Sequence, residues 1–297
     1  MKLWKKCSAL FLALVMLLAL AIPAGAASPE EDLTGHIVIL HTNDVHGGIA
    51  GYASVAALKQ AYQQAGAYVI LADAGDFAQG DPTVSISQGA TAVELMNLAG
   101  YDVAVPGNHE FDYGYANLKT LEEQASFPIL AANIQYEGSQ ALGENTIFTT
   151  DSGVKIGVFG LDTPETATKA NPDKIQGVTF LGGQDMFDCA QAQVDALKAE
   201  GCSYIICVGH LGIDASSAGN TSIDLLENVT GIDVFLDGHS HSTLDDVLAA
   251  TDGTGMVGDT YLTSTGTKLD NVGVVDIAPD GAVTVSSQSV EELNARS

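Results

Sequence analysis

The chain has 297 residues, of which 46% are hydrophobic and 16% charged, a composition typical of a globular protein with a large core. Its 37 acidic and 11 basic residues give a formal charge of −26, which disfavours nucleic-acid polymers and anionic membrane surfaces as partners because both would be repelled. The only arginine is Arg296, so no guanidinium inside the chain is available to bind an anion.

Residues 1–26 have the three parts of a secretory signal peptide: a basic start, an apolar middle and small residues before a cleavage site. The sequence therefore predicts an exported chain (periplasmic, extracellular or cell-surface) whose mature part, residues 27–297, forms one domain. A retained membrane anchor is the alternative, but the apolar run is short for a span and is not followed by basic residues. Cleavage removes three lysines and no acid, which takes the formal charge from −26 to −29. No later segment has the pattern of a membrane span.

The cysteines do not indicate a disulfide or a thiolate metal site. Cys7 belongs to the signal peptide, which leaves Cys189, Cys202 and Cys207. Cys202 and Cys207 flank an apolar run, and five residues of extended strand span ~16 Å, which is beyond the reach of a disulfide. We expect all three to be small buried side chains.

Short apolar runs of strand length alternate with helical patterns along the chain. The runs are residues 37–40, 68–72, 103–105, 128–134, 154–161, 204–208 and 234–236. Helical spacing occurs at Val55, Leu58 and Tyr62, at Ala92, Leu95, Met96 and Ala99, and at Phe187, Ala190, Val194 and Leu197. This alternation predicts an α/β fold of stacked sheet and helix layers. From Tyr261 onward the pattern predicts strands alone, antiparallel and closing a second sheet.

Polar and ionisable side chains directly follow five of these runs. The sequences are HTNDVHG (41–47), DAGD (73–76), GNHEFD (107–112), GH (209–210) and DGHSH (237–241). Apart from His41, which is interpreted as the end of the first strand, five of the seven histidines fall in these segments: His46, His109, His210, His239 and His241. Because the carboxyl ends of strands in open α/β sheets meet at one edge, we expect these side chains to assemble a site.

Carboxylate, imidazole and amide oxygen without thiolate suit divalent ions such as Mn, Zn, Fe or Co. Converging carboxylates would repel one another unless cations neutralised them. Taken singly, each segment has an ordinary structural interpretation, such as a turn with a capping acid at Asp44 or a satisfied strand-end histidine at His210. Their joint occurrence favours a metal site. Asp73, Glu110 and Asp237 are interpreted as turn or supporting residues rather than ligands.

With these segments in view, the chain resembles the calcineurin-like metallophosphoesterases. Within them it resembles the catalytic domain of the bacterial 5'-nucleotidase family, which includes periplasmic UDP-sugar hydrolases and 2',3'-cyclic phosphodiesterases. The strings that carry the likeness are LHTNDVHG, DAGDFAQG, GNHEFDYG, VGHLGID and DGHSH, and the likeness runs from about His36 to the end. The resemblance implies a four-layer αββα sandwich with two mixed β-sheets.

The resemblance also implies a site for two divalent metal ions, at which a metal-bound water or hydroxide attacks phosphorus. One ion would be bound by Asp44, His46, Asp76 and His241, and the other by Asp76, Asn108, His210 and His239, with Asp76 bridging. Catalytic roles fall to His109 and Asp112, because Asp112 can hydrogen-bond the imidazole and keep it protonated, so that His109 donates to the leaving oxygen. Asn108 and His109 would bind the substrate phosphate.

The chain departs from the family in two respects. Full-length 5'-nucleotidases carry a second, C-terminal domain whose arginines bind phosphate and whose aromatic residues clamp the base. We expect that nucleotide-specificity domain to be absent here, or to be supplied in trans by a separate chain. Ser54 also stands where many relatives carry arginine, so the metals, Asn108 and His109 must balance the phosphate charge.

The sequence therefore predicts an exported, dinuclear-metal-dependent phosphoesterase of the 5'-nucleotidase type, acting on nucleotides or similar small phosphate esters. A phosphodiesterase or pyrophosphohydrolase acting on cyclic nucleotides or nucleotide sugars is the alternative within the same chemistry, and an aromatic base clamp would discriminate the two. A third hypothesis is a surface binding module that keeps the fold without turnover. It predicts damage to the ligand set, and every ligand position is intact.

Overall fold

The structure, a computed structural model, describes residues 32–296, so the predicted signal peptide lies outside the described residues. The strands are β1 (Ile37–Thr42), β2 (Tyr68–Asp73), β3 (Val103–Ala104), β4 (Ile134–Tyr136), β5 (Ser139–Gln140), β6 (Asn145–Thr149), β7 (Lys155–Asp162), β8 (Val178–Phe180), β9 (Tyr204–His210), β10 (Val234–Leu236), β11 (Met256–Val257), β12 (Thr260–Thr263), β13 (Asn271–Ile277) and β14 (Val283–Ser289). The α-helices are α1 (Tyr52–Gln64), α2 (Pro82–Ile86), α3 (Ala90–Ala99), α4 (Tyr115–Gln124), α5 (Thr166–Lys169), α6 (Gln184–Ala199), α7 (Ser222–Asn228), α8 (Leu244–Ala250) and α9 (Val290–Arg296). Short 3-10 helices cover Ile49–Gly51, Asn108–Phe111, Pro172–Lys174 and Ala215–Ser217.

Two large sheets are both mixed. The first has the order β14-β13-β1-β2-β3, in which β1, β2 and β3 are parallel and β13, the hairpin partner of β14, is antiparallel to β1. The second has the order β11-β12-β10-β9-β7-β6, in which β12, β10, β9 and β7 are parallel and the two edge strands are antiparallel to their neighbours. A small antiparallel sheet, β5-β4-β8, shares no strand with either of them.

The two large sheets pack face to face through aliphatic side chains. Ile39 and Ile70 of the first sheet and Val208 and Leu236 of the second belong to this shared core. Alternate residues of the same strands, such as Leu40, point to the outer layers instead. Strands buried on both faces need near-continuous apolar runs, which explains the sequences of these strands.

Helices cover the two outer faces. Helices α1, α3 and α4 pack on the first sheet, and α6, α7 and α8 pack on the second. The layers are therefore helix, sheet, sheet and helix, which confirms the predicted αββα sandwich with two mixed sheets. The three helical patterns of the sequence correspond to α1, α3 and α6, and Gly100 ends α3 with a left-handed φ of 79°.

The prediction for the C-terminal strands was wrong in part. Strand β12 runs parallel to β10 in the second sheet, whereas β13 and β14 extend the first sheet beside β1. The reason is that β13 is apolar on both faces: Val272 and Val274 face the helix layer, and Val275 and Ile277 face the second sheet. Such a strand needs a layer on each side, and the position next to β1 provides both.

Two smaller expectations also need correction. The apolar pattern predicts one strand over residues 128–134, but only Ile134 belongs to a strand, while Ile129 and Leu130 make isolated bridges to Ala104 and Gly143. Of the three free cysteines, Cys207 is buried as expected, but Cys189 and Cys202 are half-buried. Over residues 32–296, no helix combines the length and the apolar character needed to cross a membrane.

Candidate metal centre

The five polar strand-end segments meet at one edge of the sandwich. They follow β1, β2 and β3 of the first sheet and β9 and β10 of the second, and within each sheet these strands are parallel. Their carboxyl ends therefore point the same way, and face-to-face packing of the sheets brings the two sets of loops together. Two groups of side chains result, which we call the inner group (Asp44, Asp76 and His210) and the outer group (Asp44, His46 and His241), each with its donor atoms within 4.8 Å of one another.

The inner group is buried. The His210 Nε2 atom lies 3.1 Å from Asp76 Oδ2 and 4.0 Å from Asp44 Oδ1, but in a geometry that makes no hydrogen bond. His210 Nδ1 lies 2.6 Å from the Ala74 carbonyl oxygen, which can only accept, so Nδ1 carries the proton and donates it there. Nε2 is therefore the ring nitrogen that faces the two carboxylates.

This arrangement is electrostatically unbalanced. Burial raises the pKa of Asp44 to about 7, against the attraction of His210. Burial also acts to raise the pKa of Asp76 and to lower that of His210, but their mutual attraction prevails, so the pKa of Asp76 is lowered and that of His210 is raised. Among the described residues, no lysine or arginine forms an ion pair with either aspartate. Without a metal ion, the two buried carboxylates are therefore neutralised only by protons held on His210 and Asp44, and a bound cation would take the place of those protons.

The outer group lies nearer the surface and shares Asp44 with the inner one. Its two imidazoles face each other, with His46 Nε2 3.0 Å from His241 Nε2. Asp44 Oδ1 lies 3.5 Å from His241 Nε2 and 3.9 Å from His46 Nε2. Asp76 Oδ2 is 3.7 Å from His46 Nε2, so both aspartates lie between the two sets of histidines. Asp44 and Asp76 each lie close enough to both groups of histidines to bridge two ions.

Two further predicted ligands, Asn108 and His239, stand outside these groups. Asn108 is buried, and its Oδ1 atom has no hydrogen-bond partner. The His239 ring packs edge-on against His210, with centroids 5.0 Å apart, but its Nε2 atom is directed to Glu165 Oε2 at 2.8 Å. Burial, followed by repulsion from His210, lowers the pKa of His239 to about 4, so the ring is neutral as a ligand must be.

The backbone of the ligand-bearing loops is unusual. Five of the seven predicted ligands have a left-handed φ, an angle that side chains other than glycine rarely adopt. They are Asp44 (49°), His46 (43°), Asp76 (63°), His239 (77°) and His241 (52°). Each such residue costs of order 1 kcal/mol or more and persists only where its surroundings enforce it. These five are half of the ten non-glycine residues with a left-handed φ in the described chain.

Glycines allow the loops to close around the His210 ring. A Cβ atom added to Gly107 would lie 2.6 Å from His210 Nε2, and one added to Gly238 would lie 2.8 Å from His210 Nδ1. Both distances are shorter than real contacts allow, and neither the ring nor the neighbouring backbone has room to move. Only glycine fits at these two positions.

Three buried carboxylates hold the loops together, as their sequence positions indicated. Glu110 accepts hydrogen bonds from the backbone N–H groups of Asp76 (2.8 Å), Ala78 (2.8 Å) and Gly107 (2.6 Å), which ties the loop after β2 to the loop after β3. Asp237 accepts from the N–H groups of Leu211, Gly212 and Gly238 and joins the loops after β9 and β10 in the same way. Asp73 accepts from Thr42 Oγ1 and from Gly75 N–H.

The predicted catalytic pair lies beside the outer group. His109 Nδ1 is 2.8 Å from Asp112 Oδ2, and the His109 ring is edge-on to His46 with centroids 5.3 Å apart. The backbone N–H of His109 donates to Asp76 Oδ1 at 2.9 Å, which fixes the pair relative to the inner group. The hydrogen bond to Asp112 raises the pKa of His109, against the effect of burial. With Nδ1 bound to Asp112, Nε2 is the ring nitrogen left to face a substrate.

A groove of about 440 Å³ opens next to His46. It is lined by His46, Gly47, Gly48, Gly80, Asp81 and Lys268. These lining residues include no phenylalanine, tyrosine or tryptophan, so this groove offers no clamp for a planar base. It can accept a polar group through Asp81 and Lys268.

The sequence interpretation missed two residues of the site. Glu165 and Lys169 come after β7, and both contact His239 Nε2, at 2.8 Å and 3.1 Å. The run at residues 154–161 predicts a strand, but the segment after it contains no histidine and so gives no signal of a metal ligand. The parallel pairing of β7 with β9 shows that this segment ends at the same edge of the sheet, but the two residues lie beyond those that directly follow the strand.

The residues present fit divalent metal ions. Two buried atoms without hydrogen-bond partners, His210 Nε2 and Asn108 Oδ1, belong to the same predicted ligand set as two buried carboxylates. Buried polar atoms are almost always paired, so unpaired ones require an explanation. A cation bound by these donors satisfies the lone pairs and neutralises the carboxylates at once.

Comparisons with known proteins agree with this geometry. The family model described as calcineurin-like phosphoesterase matches residues 37–243. Bovine 5'-nucleotidase is 32% identical over 242 residues, covering 74% of this chain and 39% of that protein. Protein UshA of Yersinia enterocolitica is 32% identical over 246 residues, covering 77% of this chain and 44% of that protein. The chain thus spans less than half the length of these two relatives.

A solved structure has the same fold. The crystal structure of the calcineurin-like phosphoesterase YfkN from Bacillus subtilis superposes with a TM-score of 0.72 at 25% identity, covering 86% of this chain and 91% of that chain. The matched region of the family model contains all the strand-end segments that form the inner and outer groups. The chain belongs to the calcineurin-like phosphoesterase family.

Proposed function

We propose that this chain is an exported, dinuclear-metal-dependent phosphoesterase of the 5'-nucleotidase type, which hydrolyses nucleotides or similar small phosphate esters. The observation that carries the proposal is the inner group, in which a buried, unpaired imidazole nitrogen faces two buried carboxylates. A cation bound there would replace the proton that His210 and Asp76 otherwise share, and it would neutralise both carboxylates. The His109–Asp112 pair beside it supplies the proton donor that ester hydrolysis needs.

The seven predicted ligands remain our proposal for the ion-binding residues. They are Asp44, His46, Asp76, Asn108, His210, His239 and His241. When bound, two divalent ions would ionise a water molecule and neutralise phosphoryl oxygens. The oxygen and imidazole donors suit Mn, Zn, Fe or Co.

His109 and Asp112 would handle the proton. Asp112 accepts from Nδ1 of His109 and so fixes the ring orientation and the tautomer. The Nε2 proton is then available for the leaving oxygen of the ester. Asn108, the neighbour of His109 in the same 3-10 helix, keeps its amide N–H₂ group to donate to a phosphoryl oxygen once Oδ1 is bound.

The substrate proposal depends on the relatives. The bovine relative is named a 5'-nucleotidase, and YfkN of Bacillus subtilis, 28% identical over 267 residues, is named a trifunctional nucleotide phosphoesterase. Nucleotides are therefore the first substrates to test, with cyclic nucleotides and nucleotide sugars as alternatives. Because the groove beside His46 has no base clamp in its lining, we propose that the phosphate is recognised more strongly than the base.

A panel of four substrates tests the proposal. AMP, a 2',3'-cyclic nucleotide, UDP-glucose and p-nitrophenyl phosphate would each be incubated with the mature chain, once with manganese and once with a chelator. We expect hydrolysis that requires the metal. Hydrolysis that is indifferent to chelation would refute the metal mechanism, and tight AMP binding without turnover would favour a binding module. Adding a C-terminal domain from a relative would show whether specificity can be supplied in trans.

Export is a separate part of the proposal and has its own test. Residues 1–26 have signal-peptide composition. N-terminal sequencing of the protein recovered outside the cytoplasm should start near Ala27. Recovery of an uncleaved chain from the membrane fraction would instead support a retained anchor.

A further inference from the structure

Glu165, Lys169 and His239 form a closed triangle of contacts at the mouth of the site. Glu165 Oε2 lies 2.8 Å from His239 Nε2 and 2.9 Å from Lys169 Nζ. The third side, from Lys169 Nζ to His239 Nε2, is 3.1 Å. None of the strand-end motifs of the sequence includes either the glutamate or the lysine.

The protons of this triangle can be assigned from chemistry alone. A single ring nitrogen either donates a proton or accepts one, so His239 Nε2 cannot donate to Glu165 and accept from Lys169 at the same time. The carboxylate can only accept, so an Nε2 atom without a proton would bring two lone pairs into contact at 2.8 Å, the shorter of the two distances. His239 therefore carries its proton on Nε2, its Nδ1 lone pair is left to bind an ion, and Lys169 pairs with Glu165 alone.

Lys169 then has spare donors. An ammonium group has three N–H bonds, and Glu165 uses one of them, which leaves two. The side chain is 47% exposed, so these two donors are open to a ligand. Of the described lysines, Lys169 alone has its ammonium within hydrogen-bond distance of a predicted ligand.

The short helix that carries Lys169 is anchored to the strand before it and to a neighbouring loop. Lys169 is the last residue of α5, and the first residue of that helix, Thr166, donates its hydroxyl to Asp162 Oδ2 at 2.9 Å. Asp162 is buried and pairs in register with His210 across β7 and β9. Helix α5 also packs against the 3-10 helix Asn108–Phe111, which carries the phosphate-binding and proton-donating residues of the proposed function. The lysine is thus presented at a fixed distance from the site.

We propose that Lys169 is a substrate-binding residue, whose two free N–H groups bind the non-bridging oxygens of a dianionic phosphate monoester. The inference rests on the proposed function. It supplies a cationic side chain for the substrate phosphate in a chain that has no arginine before Arg296. Glu165 is the positioning residue: it holds the ammonium at the mouth and orients His239. Because a diester carries one negative charge and a monoester up to two, the lysine favours monoesters.

The test compares Lys169→Met with Lys119→Met, both assayed on the manganese-loaded chain. Lys119 is also a partly exposed helical lysine paired with a glutamate, Glu122, and it contacts no predicted ligand. We expect Lys169→Met to raise the KM for p-nitrophenyl phosphate, and the dissociation constant of inorganic phosphate measured by calorimetry, by ~10–100-fold, the range of a lost charge-assisted hydrogen bond. Bis(p-nitrophenyl) phosphate should be affected less. Lys169→Arg should keep most of the phosphate affinity, and Lys119→Met all of it.

The outcomes separate this inference from the proposed function. If the wild type hydrolyses the monoester and Lys169→Met binds phosphate equally well, the inference is overturned and the proposed function stands. If Lys169→Met loses its ions, measured by mass spectrometry, the lysine is a structural residue and the inference again fails. If no protein hydrolyses any ester, the proposed function fails, while the phosphate calorimetry still decides whether Lys169 binds the anion.

Discussion

Two histidine–aspartate pairs lie side by side in this site and are built in opposite ways. His210 and Asp76 are both buried, lie 3.1 Å apart and make no hydrogen bond. His109 and Asp112 are about one-third exposed and make a hydrogen bond of 2.8 Å. The first pair places an imidazole nitrogen and a carboxylate oxygen, both buried, where they can bind one cation in place of a proton. The second pair shares a proton, which suits proton transfer.

The difference shows that sequence proximity and burial decide what the same two residue types can do. Asp112 is three residues from His109 on one 3-10 turn, so the pair forms locally and solvent screens its charge. Asp76 and His210 come from different sheets and meet only in the folded protein. Changing the buried pair, His210 and Asp76, should therefore affect ion binding. Changing the local pair, His109 and Asp112, should affect the rate alone.

The largest effect is expected for Asp76→Asn. Loss of the carboxylate that lies near both His210 and His46 should remove at least one ion and lower kcat/KM by ~10⁴-fold or more, because metal catalysis supplies several kcal/mol of transition-state stabilisation. Ion content and turnover of p-nitrophenyl phosphate would both be measured. Asp280→Asn changes the same charge in an exposed turn and should alter neither. A variant Asp76→Asn with full ion content would break the distinction between the two pairs.

His109→Ala should lower kcat by ~10²–10⁴-fold, the usual contribution of a general acid, while the ions stay bound. His36 provides a matched control, because its Nδ1 lies 2.8 Å from Asp276 Oδ1 at the opposite end of β1. His36→Ala removes the same kind of pair and should leave kcat unchanged. Unchanged turnover in His109→Ala would remove this residue from the mechanism, and loss of ions would place it with the inner group.

A smaller effect, on stability, is expected for Glu110→Gln. Glu110 links the two pairs, since it shares a 3-10 helix with His109 and accepts the backbone N–H of Asp76. A glutamine amide N–H₂ group cannot accept, so at least one of the three backbone N–H groups would lose its partner. The free energy of unfolding in urea should fall by ~1–3 kcal/mol. The exposed Glu123→Gln should change it by less than ~0.5 kcal/mol, and an equal effect of the two variants would contradict the role given to Glu110.

Much of the fold could be predicted because its causes are local. Strands buried on both faces must be apolar throughout, and helices on an outer face must repeat at 3.6 residues. Which sheet accepts β12 or β13 depends on the layers above and below each strand, which the sequence does not display. Ile129 and Leu130 lie in an apolar run that has the pattern of a strand. They form only isolated bridges, to Ala104 and Gly143, and do not extend a ladder.

The site could be predicted as a set of residues but not as a geometry. The strand-end rule located Asp44, Asp76 and the histidines because parallel strands end at one edge. It could not show that His239 turns Nε2 toward Glu165, because ring orientation depends on a contact between residues 74 positions apart. Nor could it show that Asp44 belongs to both groups of donors.

The left-handed backbone of Asp44, His46, Asp76, His239 and His241 also sets a condition for protein engineers. Side chains alone do not encode this centre, since the same residues on loops with ordinary angles would aim their donor atoms elsewhere. A transplant into another sandwich scaffold would have to carry the loops whole, together with Gly107 and Gly238, against which the His210 ring rests. Point-by-point grafting of the predicted ligands would reproduce the composition of the site without its shape.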